Sequence, residues 1–281
     1  MELILPAYAK LNLTLDVNGR RANGYHEVDS VMQTISLHDV ISVERTDCRV
    51  FDVVGPAISG ENLVLKAARE LEGHVGRALP FTIRLFKRIP MFAGLGGGSA
   101  DAAAFLLAAV QLYDLPLKQD ALVELATAVG QDVPFFLSGG TARATGLGST
   151  VEPLPELPGS WRFVVVCPPV EVPTRAVYEA VEGTAPTAHR TPALVERLRS
   201  ARAIDPGAFG NDLEATARRL FPSLDQAIAP LAATLPGLRM SGSGAAFFAA
   251  FPGDEAARAG LRAAQQAGAK AWLCRPVPAW R

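Results

Sequence analysis

The stretch that most restricts this chain is Pro90-Met91-Phe92-Ala93-Gly94-Leu95-Gly96-Gly97-Gly98-Ser99-Ala100-Asp101, which runs straight into an apolar helical pattern over residues 102–113. Four glycines in the five positions from Gly94 to Gly98 leave backbone N–H groups uncovered by side chains. A helix starting immediately behind them aims its positive N-terminal end into the same hollow, and that combination binds phosphate. The fold must therefore lead a strand into this loop and a helix out of it. The strand is supplied by Phe81–Phe86, whose apolar residues alternate with period two.

Familiar phosphate loops differ from this one. A P-loop needs G-x-x-x-x-G-K-[ST], but Gly94 is followed five residues on by Ser99 and then Ala100, with no lysine. A dinucleotide fingerprint needs a second strand after the helix, where this chain starts a second helix; Ser99 also stands at the third glycine position. The His-Arg-Asp and Asp-Phe-Gly landmarks of protein kinases are absent. The plain alternative is a glycine-rich turn that only lets a helix pack closely. So dense a run at a strand-to-helix junction favours anion binding.

Composition narrows the class. With 281 residues the chain suits two domains, and a hydrophobic share of 49% fits a well-buried globular protein. The net charge of −1, from 27 basic and 28 acidic residues, gives no reason to expect a nucleic-acid partner. Cys48, Cys167 and Cys274 have neither metal-ligand spacing nor the pairing of a disulfide framework, as expected in a reducing cytoplasm. The start, Met1-Glu2-Leu3-Ile4-Leu5-Pro6, lacks the basic region of a signal peptide, and no apolar run is long enough to span a bilayer. A cytoplasmic protein without a membrane partner is expected.

Along the chain, residues 9–17 alternate as a half-buried strand, residues 20–26 form a turn-rich connection, and residues 41–45 return as a strand. Helical spacing covers residues 62–72, with Glu61 and Asn62 as polar start signals, and then 99–113 and 118–129. The proline-dense stretch from Pro153 to Gly159 marks a candidate domain boundary. Beyond it come a strand at 162–167 and helices at 174–181, 192–200, 212–220 and 223–235. The end of the chain predicts strand 237–240, a tight turn at Ser241–Gly244, strand 245–251, helix 254–267 and strand 270–274.

Two further pieces stand in order with the glycine run. They are Pro6-Ala7-Tyr8-Ala9-Lys10-Leu11-Asn12-Leu13 and Met240-Ser241-Gly242-Ser243-Gly244-Ala245. Together the three resemble the motifs of the galactokinase, homoserine kinase, mevalonate kinase and phosphomevalonate kinase (GHMP) superfamily. Gly24-Tyr25-His26, Glu61-Asn62-Leu63-Val64, Asp132-Val133-Pro134-Phe135-Phe136, Val172-Pro173-Thr174 and Asn211-Asp212 resemble a branch of it whose acceptor alcohol carries cytidine diphosphate. The pattern departs from that branch at Gln131, where alanine is usual, and at Ser149, where glutamate is common.

This resemblance implies an α+β, two-domain GHMP-kinase fold. Residues 1–157 would form a mixed α/β domain with a left-handed βαβ-type nucleotide site, and residues 158–281 a ferredoxin-like α+β domain. It implies ATP and Mg²⁺ as cofactors, a small-molecule substrate, and a monomer or weak homodimer. ATP would be held by Pro90, Met91, Phe92, Ala93, Gly94, Leu95, Gly96, Gly97, Gly98, Ser99 and Ala100, together with Asn62. The metal ligands stay unassigned.

Phosphorylating an alcohol needs a group to take its proton and a cation to steady the moving phosphoryl group. Asp132, a carboxylate among apolar residues, is either the base or the carboxylate of a helix-terminating turn; the resemblance selects the base. Lys10 shares a strand face with Tyr8 and Asn12. On composition it is an exposed strand lysine, whereas the resemblance assigns it to the hydroxyl and the γ-phosphate, with Asn12 binding substrate. Tyr25 and His26 are ordinary loop residues or the pair that stacks on and reads a cytosine. Thr174 and Tyr178, four apart on one helix face, place Tyr178 as the opposite wall. Ser99 and Asp101 suit helix capping, with Ser99 also a candidate beside Mg²⁺. Ser241 and Gly242 belong to a hairpin turn that the resemblance makes a cover over substrate. A mevalonate or homoserine kinase, or a nucleotide sensor without catalysis, are the rival readings. The first two substrates have no cytosine for Tyr25 and His26, and a sensor would lack Lys10 or Asp132.

Overall fold

The computed structural model describes residues 1–22, 24–56, 60–181 and 189–280. In chain order the strands and helices begin with β1 (Glu2–Arg20), β2 (His26–Arg45), β3 (Val50–Val54), α1 (Leu63–Val75), β4 (Phe81–Phe86) and α2 (Gly97–Leu112). There follow α3 (Gln119–Val129), α4 (Val133–Phe136), β5 (Thr141–Gly146), β6 (Thr150–Pro153), β7 (Arg162–Val166), α5 (Thr174–Ala180) and α6 (Arg190–Arg199). The last are β8 (Gly210–Asn211), α7 (Leu213–Leu220), α8 (Pro222–Ala232), β9 (Arg239–Met240), β10 (Phe247–Phe251), α9 (Asp254–Gln266) and β11 (Ala271–Cys274). Among the described residues, no helix is long and apolar enough to cross a membrane.

The chain divides into two compact units. One comprises residues 1–9, 37–91 and 96–138, and the other residues 10–36, 92–95 and 139–281. Residues 158–281 fall wholly in the second unit, and residues 1–157 contribute to both. Strands β1 and β2 are much longer than their apolar alternation indicates, and each supplies residues to both units.

In the first unit β4 lies between β3, parallel to it, and the end of β2, antiparallel. Phe81, Ile83 and Leu85 of β4 point inward, as the alternation requires. Phe81 meets Phe105 of α2 and Tyr113 edge-on at 5.1 and 5.0 Å. Helix α2 is alanine-rich and buried along nearly its whole length, so α1, α3 and α4 can pack around it. Helix α1 starts one residue later than the sequence pattern indicates, because Asn62 is its cap: the Val64 N–H donates to Asn62 Oδ1 at 2.8 Å.

In the second unit β5 pairs antiparallel with both β2 and β6, and β8 pairs parallel with β1 at Thr14↔Gly210. A separate antiparallel sheet has the order β11-β7-β10-β9, or fourth-first-third-second along the chain. That is the strand order of a ferredoxin-like domain. Residues of α5, α7, α8 and α9 cover one face through a core that includes Val177, Leu213, Ile228 and Ala257. Trp161, Phe163, Phe209 and Phe248 form a chain of aromatic contacts in the same unit.

Candidate active site

Helix α2 begins at Gly97, two residues earlier than the apolar pattern indicates, and its cap is Gly96. Gly96 has no side chain to satisfy the first-turn N–H groups and sits at φ 71°, a left-handed conformation that glycine adopts freely. No acidic residue occupies the first turn. Ser99 is therefore the third helical residue, not the cap. The bare N–H groups of Gly97, Gly98 and Ser99 remain as an anion-binding end with nothing negative competing in that turn.

Asp101 does not cap either. Its carboxylate is buried and ion-paired to Lys87 at 2.7 Å, and Lys87 reaches Asp39 at 2.5 Å. Sequence reasoning passes over Lys87 and Asp39 altogether. Nothing in Lys87-Arg88-Ile89-Pro90 distinguishes a buried lysine from a surface one.

The second unit holds Gly94 against the turn Ser241–Gly244. A Cβ on Gly94 would lie 2.2 Å from the Ser241 carbonyl oxygen, so only glycine fits there. Ser241 Oγ donates to the Gly94 carbonyl at 3.0 Å, and the Ala246 N–H donates to the Ala93 carbonyl at 3.0 Å. The turn does join two antiparallel strands, β9 and β10, as a hairpin should. It also holds Gly94 in place.

Lys10 lies beside the same residues: its N–H donates to the Leu95 carbonyl at 2.9 Å. Its side chain is not on the surface, for the residue is only 4% exposed. The Lys10 ammonium donates to Asn12 Oδ1. Asn12 Nδ2 in turn donates to Ser30 Oγ at 2.8 Å, and Ser30 donates to the Thr14 carbonyl at 2.6 Å. The Asn12 N–H reaches Ser241 Oγ at 3.3 Å. Lys10, Asn12 and Ser241, drawn from distant motifs, thus join one buried hydrogen-bonded group with Ser30, which no sequence signal singles out.

Tyr25 is 64% exposed, and His26 opens β2 with its ring 5.5 Å from that of Tyr178. Thr174 starts α5, and its hydroxyl lies 2.7 Å from the Ser243 hydroxyl. An exposed tyrosine near a histidine–tyrosine pair can take a flat heteroaromatic ring by stacking.

Asp132 does not end a helix; it opens the short helix α4, and its side chain makes no capping hydrogen bond. The four residues after it are buried and hold its backbone, leaving the carboxylate half-buried. Asn62, besides capping α1, lines a cleft of about 390 Å³ with Phe51, Val53, Gly60, Leu65 and Arg69 among the described residues.

A glycine-lined helix start with bare N–H groups is the kind of donor set that phosphoryl transfer uses. Residues 62–140 match the model of the GHMP kinases N terminal domain and residues 192–270 that of the GHMP kinases C terminal. The chain belongs to the GHMP kinase family, with its two-domain fold of mixed helix and strand. The 4-diphosphocytidyl-2-C-methyl-D-erythritol kinase of Rhodospirillum rubrum is 37% identical over 280 residues, 96% of this chain and 90% of that relative. The enzyme of the same name from Thiobacillus denitrificans is 41% identical over 266 residues, 94% of this chain and 91% of its own. A crystal structure of 4-(cytidine 5'-diphospho)-2C-methyl-D-erythritol kinase matches with TM-score 0.80 at 39% identity, covering 98% of this chain and 99% of that one.

Proposed function

We propose that this protein transfers the γ-phosphoryl group of ATP to the C2 hydroxyl of 4-diphosphocytidyl-2-C-methyl-D-erythritol. The step belongs to the non-mevalonate (methylerythritol phosphate) route to isoprenoid precursors. The observation that carries the reading is Lys10, a buried cation whose backbone is bonded to the glycine run and whose ammonium is held by Asn12. The names of the relatives supply the acceptor.

In this reading Asp132 takes the proton from the hydroxyl as the oxygen attacks the γ-phosphorus. The new O–P bond forms as the bond to ADP breaks, and Lys10 balances the charge that gathers on the phosphoryl oxygens. Asn12 orients the hydroxyl. The segment Pro90–Ala100 holds the phosphates, chiefly through the N–H groups of Gly97, Gly98 and Ser99. Asn62 and its cleft take the adenine.

Mg²⁺ fits as an ion carried in on ATP. Among the described residues no group of three His, Cys, Asp or Glu would hold it alone, and Ser99 supplies a hydroxyl in the first turn of α2. Tyr25, His26 and Tyr178 take the cytosine, with Thr174, Ser241 and Gly242 beside the rest of the substrate. A cytoplasmic location, a monomer or weak homodimer, and residues 1–157 and 158–281 as the two domains belong to the same proposal.

Competition tests the acceptor half directly. CDP should inhibit competitively with the cytidine-bearing acceptor and not with ATP. Inhibition competitive only with ATP would remove Tyr25, His26 and Tyr178 from the cytidine site.

A further inference from the structure

Glycines free a loop to adopt left-handed backbone and also leave it with more conformations to lose. Gly94 and Gly96 both have positive φ, so the run cannot hold its own shape. The strand end of this segment is fixed by Asp39: Lys87 Nζ donates to its Oδ2 at 2.5 Å, and the N–H groups of Arg88 and Ile89 donate to its Oδ1, the latter at 2.8 Å. The helix end is fixed by Asp101, whose Oδ2 accepts from the same Lys87 ammonium at 2.7 Å. All three side chains are 5% exposed or less. The ammonium lies directly beneath the helix start, since a Cβ on Gly97 would come within 3.4 Å of Lys87 Nζ and 3.0 Å of Ile89 Cγ2.

We infer that Lys87, bridging Asp39 and Asp101, braces the two ends of the glycine run and so positions the N–H groups that hold the ATP phosphates. The inference rests on the proposed role of that run in ATP binding. Lys87 and Asp101 are positioning residues here, not catalytic ones, because they act through the backbone of Gly97, Gly98 and Ser99.

A purely structural account fits less well. Burying an ammonium and two carboxyl groups is costly, and apolar residues of similar size often serve stability as well or better. Among the described residues Asp101 Oδ1 is moreover buried with no hydrogen-bond partner, a cost that packing alone does not offset. What the ion cluster supplies is direction: it fixes one lysine between two defined points. A phosphate site depends on such preorganised donors.

The charged groups that act on Asp101 are Lys87, at the end of β4, and Asp39, on β2. Burial works against the Lys87 charge, but the two carboxylates outweigh it and hold its pKa above the ordinary value. The lysine therefore stays an ammonium, as the brace requires.

The test is a comparison of steady-state constants in the wild type, Asp101→Asn and Asp101→Ala. Asparagine keeps an acceptor for Lys87, and alanine removes it. Asp101→Ala should raise KM for ATP about tenfold or more, with kcat and the acceptor's KM within about threefold. Asp101→Asn should stay within about threefold of the wild type throughout, a rescue by the conservative variant. An unchanged KM for ATP in Asp101→Ala, or equal rises in both KM values, would overturn the brace. So would an asparagine variant as defective as the alanine one. If Asp101→Ala does not fold, Lys87→Gln is judged on the same constants. A folded wild type with no ATP-dependent turnover would instead refute the proposed function.

Discussion

A lysine held at 4% exposure has lost most of the water that would solvate its ammonium, and it persists only where other atoms replace that water. For Lys10, Asn12 provides one such atom, and Ser30 fixes Asn12 in turn. Removing the Ser30 hydroxyl leaves a buried amide short of its acceptor, at a cost of about 1–3 kcal/mol. Ser30→Ala should therefore lower kcat/KM by roughly tenfold, measured by steady-state kinetics. Asp132→Asn keeps the shape of the side chain and removes the proposed base. It should lower turnover roughly 10²- to 10⁴-fold while nucleotide binding, measured by calorimetry, is retained. Normal turnover in that variant would refute the role of Asp132. Lys10, Asn12 and Ser241 are legible in the sequence because they stand in dense, ordered motifs. Ser30 and Lys87 are not, because a strand serine or a lysine near a proline says nothing until its partner is known.

At the level of the element, α2 combines an uncapped start with a buried carboxylate one turn on. Burial above all, opposed by Lys87 and aided by Asp39, raises the Asp101 carboxyl from the ordinary 3.8 to about 7. Between these two values the folded protein keeps a proton that the unfolded chain has released. The contribution to stability is thus fully present below the unfolded value and is lost as pH rises through the folded one. Asp101→Asn removes this titration. Its melting temperature relative to wild type should therefore rise as pH goes from about 5 to about 8, and a constant difference would contradict the assignment. Element by element, the sequence pattern works where one face is apolar. It finds β4 at both ends, since Phe81, Ile83 and Leu85 alternate with outward residues. It misses the first part of β2, because Asp29, Ser30, Gln33 and Thr34 are buried there, and hydrophobic periodicity cannot mark a polar buried strand.

For the molecule as a whole, the strands at 162–167, 237–240, 245–251 and 270–274 are legible one by one, while their joining into one sheet in the order β11-β7-β10-β9 is seen only in the fold. The composition of the two units is less accessible. Each takes residues from β1 and β2, so no single change in composition along the chain marks where one unit ends. The motifs are shared out in the same way: the glycine run spans residues of both units, Asp132 belongs to one, and Lys10 and Ser241 to the other. Chemistry distributed like this is assigned by what the intact chain does. The most direct measurement is ADP release by the purified protein with ATP and Mg²⁺, comparing 4-diphosphocytidyl-2-C-methyl-D-erythritol, mevalonate and homoserine as acceptors. Turnover with the first acceptor and none above background with the other two is the predicted result. A folded protein that leaves the first untouched, or that prefers either of the others, would contradict the account.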